Sequence, residues 1–209
     1  MIEIFAHRGL WSDFKEQNTL SAIENAFKLG LNLETDIRDL NGNLVISHDP
    51  AIEMNRIDFK HFLEIKENYP DLLVALNIKS DGLSQLLIDI GLQSFSEEYL
   101  LFDGSFPTMR TLKHDDFKCL ERLSEYEQKS SMRYDGFWVD AFENDWFMDS
   151  DEIIKIINQE SSIAIFVSPE LHKREHIGMW QWLKNNQEMF ETKIGLCTDL
   201  PIIARNYFE

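Results

Sequence analysis

Short hydrophobic runs alternate with longer amphipathic segments along the whole chain. The short runs are rich in Ile, Leu, Val and Phe, which is typical of buried β-strands. The longer segments repeat their apolar residues every three to four positions, as α-helices do. The pattern predicts strands at residues 2–6, 33–37, 44–47, 72–78, 99–102, 117–123, 137–139, 163–167 and 194–197. It predicts helices at residues 19–29, 59–69, 83–90, 108–114, 150–158, 179–186 and 201–207.

The order of these elements predicts the fold class. Strands that are apolar throughout and separated by helices indicate a parallel sheet covered on both faces. The Asn41-Gly42 turn signal between residues 33–37 and 44–47 predicts one extra strand that returns as a hairpin. About eight strand–helix units fit a single domain of residues 1–209, an α/β fold with the parallel strands of a small (β/α)8 TIM barrel. A doubly wound open sheet is the alternative.

Composition and charge narrow the classes of partner. With 44% hydrophobic residues, a chain of 209 residues can bury a full core in one domain. The net charge of −17 repels a nucleic-acid backbone and an anionic membrane surface at long range. We therefore expect a small-molecule substrate and no nucleic-acid partner.

The sequence also bears on the cellular compartment. No apolar stretch reaches the roughly 18 residues that a transmembrane helix needs, so we expect no integral membrane segment. The N-terminal residues lack the basic and apolar regions of a signal peptide. Cys119 and Cys197 lie in apolar runs, where a reduced thiol packs as a small hydrophobe. These features predict a cytoplasmic protein with reduced cysteines.

Polar and ionisable side chains follow nearly every predicted strand. In a TIM barrel the carboxyl ends of the strands meet at one mouth, where barrel enzymes have their active sites. Solvent-exposed strand ends explain scattered Ser or Asp, but explain less well two His, two Arg, a Lys and several carboxylates at one end. The residues concerned are His7, Arg8, Glu34, Asp36, His48, Asp49, Asn77, Lys79, Asp103, Arg122, Ser124, Asp140, Ser168, Glu170, Thr198 and Asp199.

Glu34 and Asp36 are two residues apart on a predicted strand, so both side chains leave the same face. Two carboxylates this close repel each other unless a cation or a shared proton relieves the repulsion. A hard divalent ion such as Mg²⁺ or Ca²⁺ suits an all-oxygen pair. A solvent-facing pair on an edge strand is the alternative interpretation, and the position between two histidines favours the metal site.

His7 and His48 have the residue type that exchanges protons near neutral pH. Asp49 is placed to orient the His48 ring. Arg8 offers a planar fork for phosphate and Lys79 adds a point charge. A strand-end Lys can instead form a Schiff base, but that chemistry leaves the carboxylates and histidines without a joint role. We interpret the other histidines as surface residues: His61, His114, His172 and His176.

Taken in order, these residues resemble the glycerophosphodiester phosphodiesterase family, within the phospholipase-C-like barrel phosphodiesterases. The dense part of the resemblance covers residues 4–50. The matching segments are Ala6-His7-Arg8-Gly9, Asn18-Thr19, Glu34-Thr35-Asp36, the Asn41-Gly42 turn and His48-Asp49, followed by Asn77-Ile78-Lys79 and the closing Thr198-Asp199-Leu200-Pro201.

The resemblance implies a barrel hydrolase that cleaves a phosphodiester, most directly a glycerophosphodiester, to an alcohol and a phosphomonoester. It implies a divalent cofactor, Mg²⁺ or Ca²⁺. It also implies a role for each matched residue: His7 and His48 as the acid/base pair, Arg8 and Lys79 as phosphate-binding residues, and Glu34, Asp36 and Asn77 as metal ligands.

Two positions depart from the family pattern. Asn77 stands where the family has a Glu, which removes one negative charge from the expected metal site. We hypothesise that Glu170 supplies the lost charge. Gln17 stands where an acidic residue is expected, with Glu16 one position out of register. Two other functions therefore stay open: a catalytically silent barrel that binds a phosphorylated ligand, and an aldolase that uses Lys79.

Overall fold

The computed structural model describes residues 1–95, 97–149 and 151–209 of the chain. Within these residues, eight parallel strands alternate with helices in an α/β fold of the TIM-barrel class, which confirms the predicted fold class. One further strand, β3, is antiparallel to β2. The strands are β1 (Glu3–His7), β2 (Asn32–Leu40), β3 (Asn43–Ile46), β4 (Val74–Ile78), β5 (Tyr99–Phe102), β6 (Leu120–Leu123), β7 (Gly136–Val139), β8 (Ile163–Val167) and β9 (Lys193–Thr198).

The chain forms two compact units. The first comprises Ala6–Cys119, and the second comprises Met1–Phe5 together with Leu120–Glu209. The prediction of a single domain of residues 1–209 stays a prediction. The α-helices of the first unit are α1 (Leu20–Lys28), α2 (Phe59–Lys66), α3 (Ser84–Asp89) and α4 (Phe106–His114), and those of the second are α5 (Glu152–Glu160), α6 (Ile177–Asn186) and α7 (Pro201–Phe208).

In the first unit, β2 pairs with two strands that follow it in the sequence, β3 and β4. It is parallel to β4, with Asp36 opposite Asn77, and β4 is parallel to β5. The predicted hairpin is present, because β3 returns antiparallel along the second half of β2. Asn41 and Gly42 both have positive φ angles, 49° and 77°, as the tight turn between two twisted strands requires.

Helix α1 packs its apolar side onto the first unit through Ala22, Ile23, Ala26 and Phe27, which are all buried. The Thr19 hydroxyl accepts a hydrogen bond from the Ala22 amide and so caps a free N–H of the first turn. The helix ends before Gly30, whose positive φ stops the helical path. Helix 19–29 was therefore predicted to within one residue at each end.

In the second unit, β9, β8, β7 and β6 pair in parallel in that order. The side chains of β7 and β8 are buried throughout, which explains their uninterrupted apolar sequences. Trp180 of α6 is fully buried, and its indole N–H donates to the Ser168 hydroxyl. The helix predicted at 150–158 corresponds to α5, and residue 150 lies outside the described residues.

Strand β6 begins three residues later than the predicted strand 117–123. Phe117 is apolar because it closes the end of α4, where its amide donates to the Leu112 carbonyl, and not because it lies in a strand. Asp116, just before it, has a positive φ of 59°, which turns the chain. The apolar pattern alone could not distinguish a helix-closing residue from a strand residue.

Two sequence predictions about apolar segments can be compared with the structure. Cys119 and Cys197 are both buried and neither forms a disulfide. No helix among the described residues combines the length and the hydropathy that crossing a membrane demands.

Gly9 allows the segment after β1 to pass close to the backbone of α1, and a substitution there tests this packing. It has a φ of 95°, and a Cβ added there would lie 2.7 Å from the backbone carbonyl carbon of Ala22. We expect Gly9→Ala to lower the free energy of unfolding by about 2–4 kcal/mol, because the backbone must shift in addition to adopting a strained φ.

Gly30→Ala is the matched control, since Gly30 also has a positive φ but has no atom within 4 Å of an added Cβ. It should cost about 1 kcal/mol, from backbone strain alone. Urea denaturation of both variants measures the difference. Equal losses would show that close packing against α1 does not constrain Gly9.

Candidate functional site

Three oxygen-bearing side chains lie together on β2 and β4. Glu34 and Asp36 alternate with Thr35 on β2, and Asn77 stands opposite Asp36 on β4. Neighbouring positions in a parallel pair point to the same side of a sheet, so the three side chains share one face. Glu34 and Asp36 are 1% and 0% exposed, and Asn77 is also buried. The sequence predicted this face from the spacing of Glu34 and Asp36 alone.

Asp36 is the most heavily contacted member of this group. The Arg8 Nε lies 2.8 Å from Asp36 Oδ2, and the Lys79 Nζ lies 3.4 Å from Asp36 Oδ1. The Asn18 side-chain amide donates to Asp36 Oδ2 at 2.8 Å, while its own oxygen accepts from the Thr35 hydroxyl at 2.8 Å. Two basic side chains and an amide therefore contact a carboxylate that is withdrawn from bulk water.

Asn18 is a residue whose role sequence reasoning missed. It was noted only as part of the Asn18-Thr19 segment ahead of α1, yet it is buried and connects α1 to the acidic strand. Its φ of 61° is positive, and Asn is one of the few residue types that tolerates this conformation. An Asn directly before a helix cap is a weak signal, because most such residues only cap the helix.

Arg8 also has an unusual backbone. Its φ is 58°, and its amide donates to the Glu34 carbonyl at 2.9 Å, while its carbonyl accepts from the Asn18 amide at 2.9 Å. These bonds hold the residue in a conformation that costs about 1–3 kcal/mol for a non-glycine residue. Strain of this kind is concentrated at functional sites, where it aims a side chain that a regular strand would direct elsewhere.

His7 and His48 occupy different surroundings. The His7 Nε2 lies 3.8 Å from Glu34 Oε2, and the His7 carbonyl accepts from the Trp11 indole N–H at 2.9 Å. The His48 Nδ1 lies 2.9 Å from an Asp49 carboxylate oxygen, as predicted from the adjacency of the two residues. The His48 ring is about half exposed, which leaves it accessible to a ligand.

A cleft of about 800 Å³ lies beside these residues within the first unit. His48, Arg8, Gln17 and Asn18 line it together. The structure therefore brings the predicted residues into two overlapping groups. His7, Arg8, Lys79 and Asn77 surround the acidic couple, and Arg8 with His48 faces the cleft.

Burial changes the acidity of Glu34. Desolvation and the neighbouring charge of Asp36 raise the pKa of Glu34 to about 7, although His7, Arg8 and Lys79 act in the opposite direction. A carboxyl with this pKa is partly protonated at physiological pH. Strongly shifted pKa values of this kind are typical of functional sites. Burial is the larger cause, and the repulsion between the two neighbouring carboxylates that the sequence predicted adds to it.

The donor set suits a hard cation. Glu34 Oε2, Asp36 Oδ1 and Asn77 Oδ1 are buried oxygens without a hydrogen-bond partner among the described residues, one on each predicted ligand. Unpaired buried oxygens are costly unless something else contacts them, and a divalent cation prefers such oxygens. Within the described part of the chain, no group of three or more His, Cys, Asp or Glu side chains could hold a metal.

Glu170, the hypothesised source of the missing charge, is occupied within the second unit. One oxygen accepts from the Ser168 hydroxyl, and the other accepts from the Thr198 hydroxyl and from the Asp199 amide at 3.1 Å. These bonds assign Glu170 a structural task that joins the ends of β8 and β9. The structure gives no support to a role in replacing the charge missing at Asn77.

Two of the four histidines interpreted as surface residues are partly buried. His172 Nε2 lies 2.7 Å from Asp140 Oδ1, and its ring contacts Phe142 at a tilt, with centroids 4.9 Å apart. The His176 ring contacts Trp180 at a tilt, with centroids 4.4 Å apart. The surface interpretation was wrong for these two, because partners distant in sequence provide the packing. His61 and His114 are exposed, as predicted.

Two solved structures share this fold. A glycerophosphodiester phosphodiesterase from Agrobacterium tumefaciens str. C58 is 14% identical with a TM-score of 0.73, and the match covers 99% of this chain and 100% of that one. A glycerophosphodiester phosphodiesterase from Parabacteroides distasonis ATCC 8503 is 12% identical with a TM-score of 0.71, covering 99% and 96%. No family model and no curated protein sequence matches the chain. The resemblance to the family is therefore confirmed at the level of the fold.

The raised pKa of Glu34 predicts how stability depends on pH without a metal. The pKa is about 7 in the folded protein, whereas an unfolded Glu titrates near ~4.3. The folded state binds more protons between these values, so stability falls as the pH rises from about 4.3 to 7. We expect Glu34→Gln to remove this loss, which is on the order of 3 kcal/mol at full size.

Thermal denaturation in EDTA between about pH 5 and 8 measures the effect. The Tm of Glu34→Gln relative to wild type should rise with pH through this window. Glu64→Gln, at an exposed position on α2, is the control and should follow the wild-type pH profile. A wild-type profile for Glu34→Gln would contradict the assignment.

Proposed function

We propose that this protein is a metal-dependent phosphoric diester hydrolase that cleaves a glycerophosphodiester to an alcohol and a phosphomonoester. The observation that carries the proposal is the group of three buried oxygens on Glu34, Asp36 and Asn77, adjoined by His7, Arg8 and Lys79. The names of the two structural neighbours support the same reaction class. The cytoplasmic location and the absence of nucleic-acid partners stay predictions.

Glu34, Asp36 and Asn77 would hold the cation through the three buried oxygens that accept no hydrogen bond within the described residues. A bound Mg²⁺ or Ca²⁺ supplies Lewis-acid stabilisation of a phosphate oxygen and neutralises charge as the transition state forms. The same cation relieves the repulsion that raises the pKa of Glu34, so binding would also favour the ionised carboxyl. With two carboxylates and one amide, we expect weaker binding than an all-carboxylate site provides.

The two histidines would exchange the protons of the reaction. One removes a proton from the attacking group, either water or a neighbouring hydroxyl of the substrate, and the other protonates the leaving alcohol. Asp49, 2.9 Å from the Nδ1 of His48, would orient that ring. The Trp11 indole N–H donates to the His7 carbonyl and so fixes the backbone position from which the His7 side chain extends.

Arg8 and Lys79 would bind the phosphate. Both already lie against Asp36, so their charges meet at the place where the phosphate must approach the cation. Arg8 also donates from Nη1 to the Gln17 side-chain oxygen at 3.2 Å. Because Gln17 is neutral where the family has an acid, the guanidinium has one anionic competitor fewer. This departure therefore favours phosphate binding by Arg8.

A silent barrel that binds a phosphorylated ligand is the second candidate. Asn77 is the observation that favours it, because a site with one charge fewer could bind phosphate without holding a cation tightly enough for turnover. The aldolase alternative has less support, since Lys79 contacts Asp36 as a cation at 3.4 Å. Borohydride trapping with a carbonyl substrate tests that alternative directly.

Turnover assays test the acid/base pair and separate the first two candidates. The substrates are glycerophosphocholine, glycerophosphoethanolamine, glycerophosphoinositol and a nucleotide-linked diester, each with several divalent metals. We expect wild-type activity on at least one of the glycerophosphodiesters, and we expect His7→Ala and His48→Ala each to lower kcat by at least about 100-fold.

His61→Ala is the control, because His61 is exposed on α2 and does not line the cleft. It should retain wild-type kcat, and all three variants should keep the wild-type Tm within a few degrees. Near-normal turnover in either site variant would refute the acid/base assignment. Binding of glycerophosphodiesters without hydrolysis under any metal would favour the silent barrel.

We expect activity to depend on a metal, because three buried oxygens on the proposed ligands accept no hydrogen bond within the described residues. EDTA should abolish activity, and Mg²⁺ or Ca²⁺ should restore it. We expect Asn77→Glu to lower the metal concentration for half-maximal activity by about tenfold, because it adds a negative ligand. Isothermal titration of the metal into the resting protein gives an independent measure. Full activity after metal removal would count against a metal centre.

A further inference from the structure

An apolar rim borders the cleft that contains His48 and Arg8. It consists of Phe14, Ile52 and Met54, which are 72%, 53% and 85% exposed, and all three line the cleft. Clustered apolar side chains in water are unfavourable, and their grouping beside a cleft indicates a binding site. The proposed chemistry gives these three residues no role.

Phe14 is held in place by a structured turn. Its ring packs against Trp11 in a tilted arrangement with centroids 5.0 Å apart, and the Trp11 indole N–H donates to the His7 carbonyl. The Asp13 side chain caps the turn by accepting from the Lys15 amide, and the Glu16 carboxylate accepts hydrogen bonds from the backbone amides of Ser12 and Asp13. The exposed ring is therefore a fixed part of the cleft wall, joined through one side chain to the proposed acid/base residue.

Ile52 and Met54 belong to a second segment that lines the cleft, and polar neighbours of the two residues anchor it. Glu53, between them, accepts from the Asn41 side-chain amide at 2.6 Å. Arg56 pairs with Asp58 at 2.5 Å and with Glu53 at 3.6 Å. These contacts anchor the segment by its polar side chains and leave the two apolar side chains at the cleft.

We propose that the apolar rim binds an alkyl or acyl chain carried by one of the two alcohols of the substrate, which makes a single-chain lipid phosphodiester the preferred substrate class. This inference rests on the proposed function. Arg8, the proposed phosphate-binding residue, and His48, a proposed acid/base residue, line the same cleft as the apolar rim. A phosphodiester bound at Arg8 and His48 would therefore have one of its two substituents directed toward the rim.

The volume of the cleft and the net charge of the protein favour a single alkyl or acyl chain over a membrane surface as the binding partner of the rim. A cleft of about 800 Å³ is within the range of roughly 300–1,000 Å³ that encloses organic ligands of moderate size. The net charge of −17 disfavours docking on an anionic bilayer. A single-chain lipid phosphodiester that is dissolved in water can reach the cleft without the protein docking on a bilayer.

Chain-length kinetics test the inference. The substrates are phosphodiesters with one constant headgroup and an ethyl, octyl or dodecyl chain, each below its critical micelle concentration. We expect kcat/KM to rise at least about tenfold from ethyl to octyl, because each methylene that leaves water adds affinity. The triple variant Phe14→Ser, Ile52→Ser, Met54→Ser should reduce this ratio to less than about threefold.

Met189→Ser is the matched control, because Met189 is also exposed but does not line the cleft. It should keep the wild-type ratio between octyl and ethyl substrates. Thermal denaturation checks that the triple variant remains folded. A ratio that is the same in wild type and the triple variant would overturn the inference, whatever the absolute rates are.

Binding measurements separate this inference from the proposed function. Calorimetry with octyl phosphate and ethyl phosphate needs no turnover, and we expect octyl phosphate to bind at least tenfold more tightly to wild type but not to the triple variant. If no diester is hydrolysed and this difference persists, the chain site stands and the proposed function fails. If diesters are hydrolysed without chain preference, the proposed function stands and the chain site is overturned. A preference seen only with phosphatidylcholine vesicles would overturn it in favour of membrane docking.

Discussion

The burial of two neighbouring carboxylates is the interaction on which the site depends. Glu34 and Asp36 are both withdrawn from water on one face of β2, and their repulsion must be relieved by positive charge or by a proton. Arg8 and Lys79 both form ion pairs with Asp36, whereas the ion pair of Glu34 is with His7, and the pKa of Glu34 stays raised because burial and the charge of Asp36 outweigh the neighbouring cations. The resulting site contains buried side-chain oxygens that accept no hydrogen bond from the described residues.

The backbone around this couple is shaped to reach it. Arg8 and Asn18 both adopt positive φ angles, and a mutual backbone hydrogen bond holds them together. Gly9 lets the same segment pass close to α1, where a side chain would collide with Ala22. The strain of these positions is offset by packing and hydrogen bonds elsewhere in the first unit, so the two donors to Asp36 are fixed before any ligand arrives.

The departures from the family pattern act in a consistent direction. In the proposed function, Asn77 would reduce the negative charge on the cation side, and Gln17 would reduce the competition for Arg8 on the phosphate side. Both changes would shift the electrostatic balance from the proposed metal toward the proposed anionic substrate. The apolar rim of Phe14, Ile52 and Met54 would add a way to hold that substrate that does not depend on charge. Substrate binding would then rely more on the protein and less on the cation.

The sequence by itself determined the fold class, most strand and helix positions, and the shared face of Glu34 and Asp36. These follow from local periodicity, because side-chain direction in a strand or helix repeats over a few residues. The His48–Asp49 contact was also predicted, since adjacent residues need no tertiary information. Local patterns failed at Phe117, which is apolar for a reason that only the end of α4 explains.

Only the tertiary structure decided which distant residues meet. The bond from Asn18 to Asp36, the pairing of His172 with Asp140 and the hydrogen bonds of Glu170 join positions that no local pattern connects. The apolar rim likewise depends on two separate segments that flank one cleft. The physical reason is that burial, hydrogen bonding and charge act through space, whereas sequence periodicity reports only on neighbours along the chain.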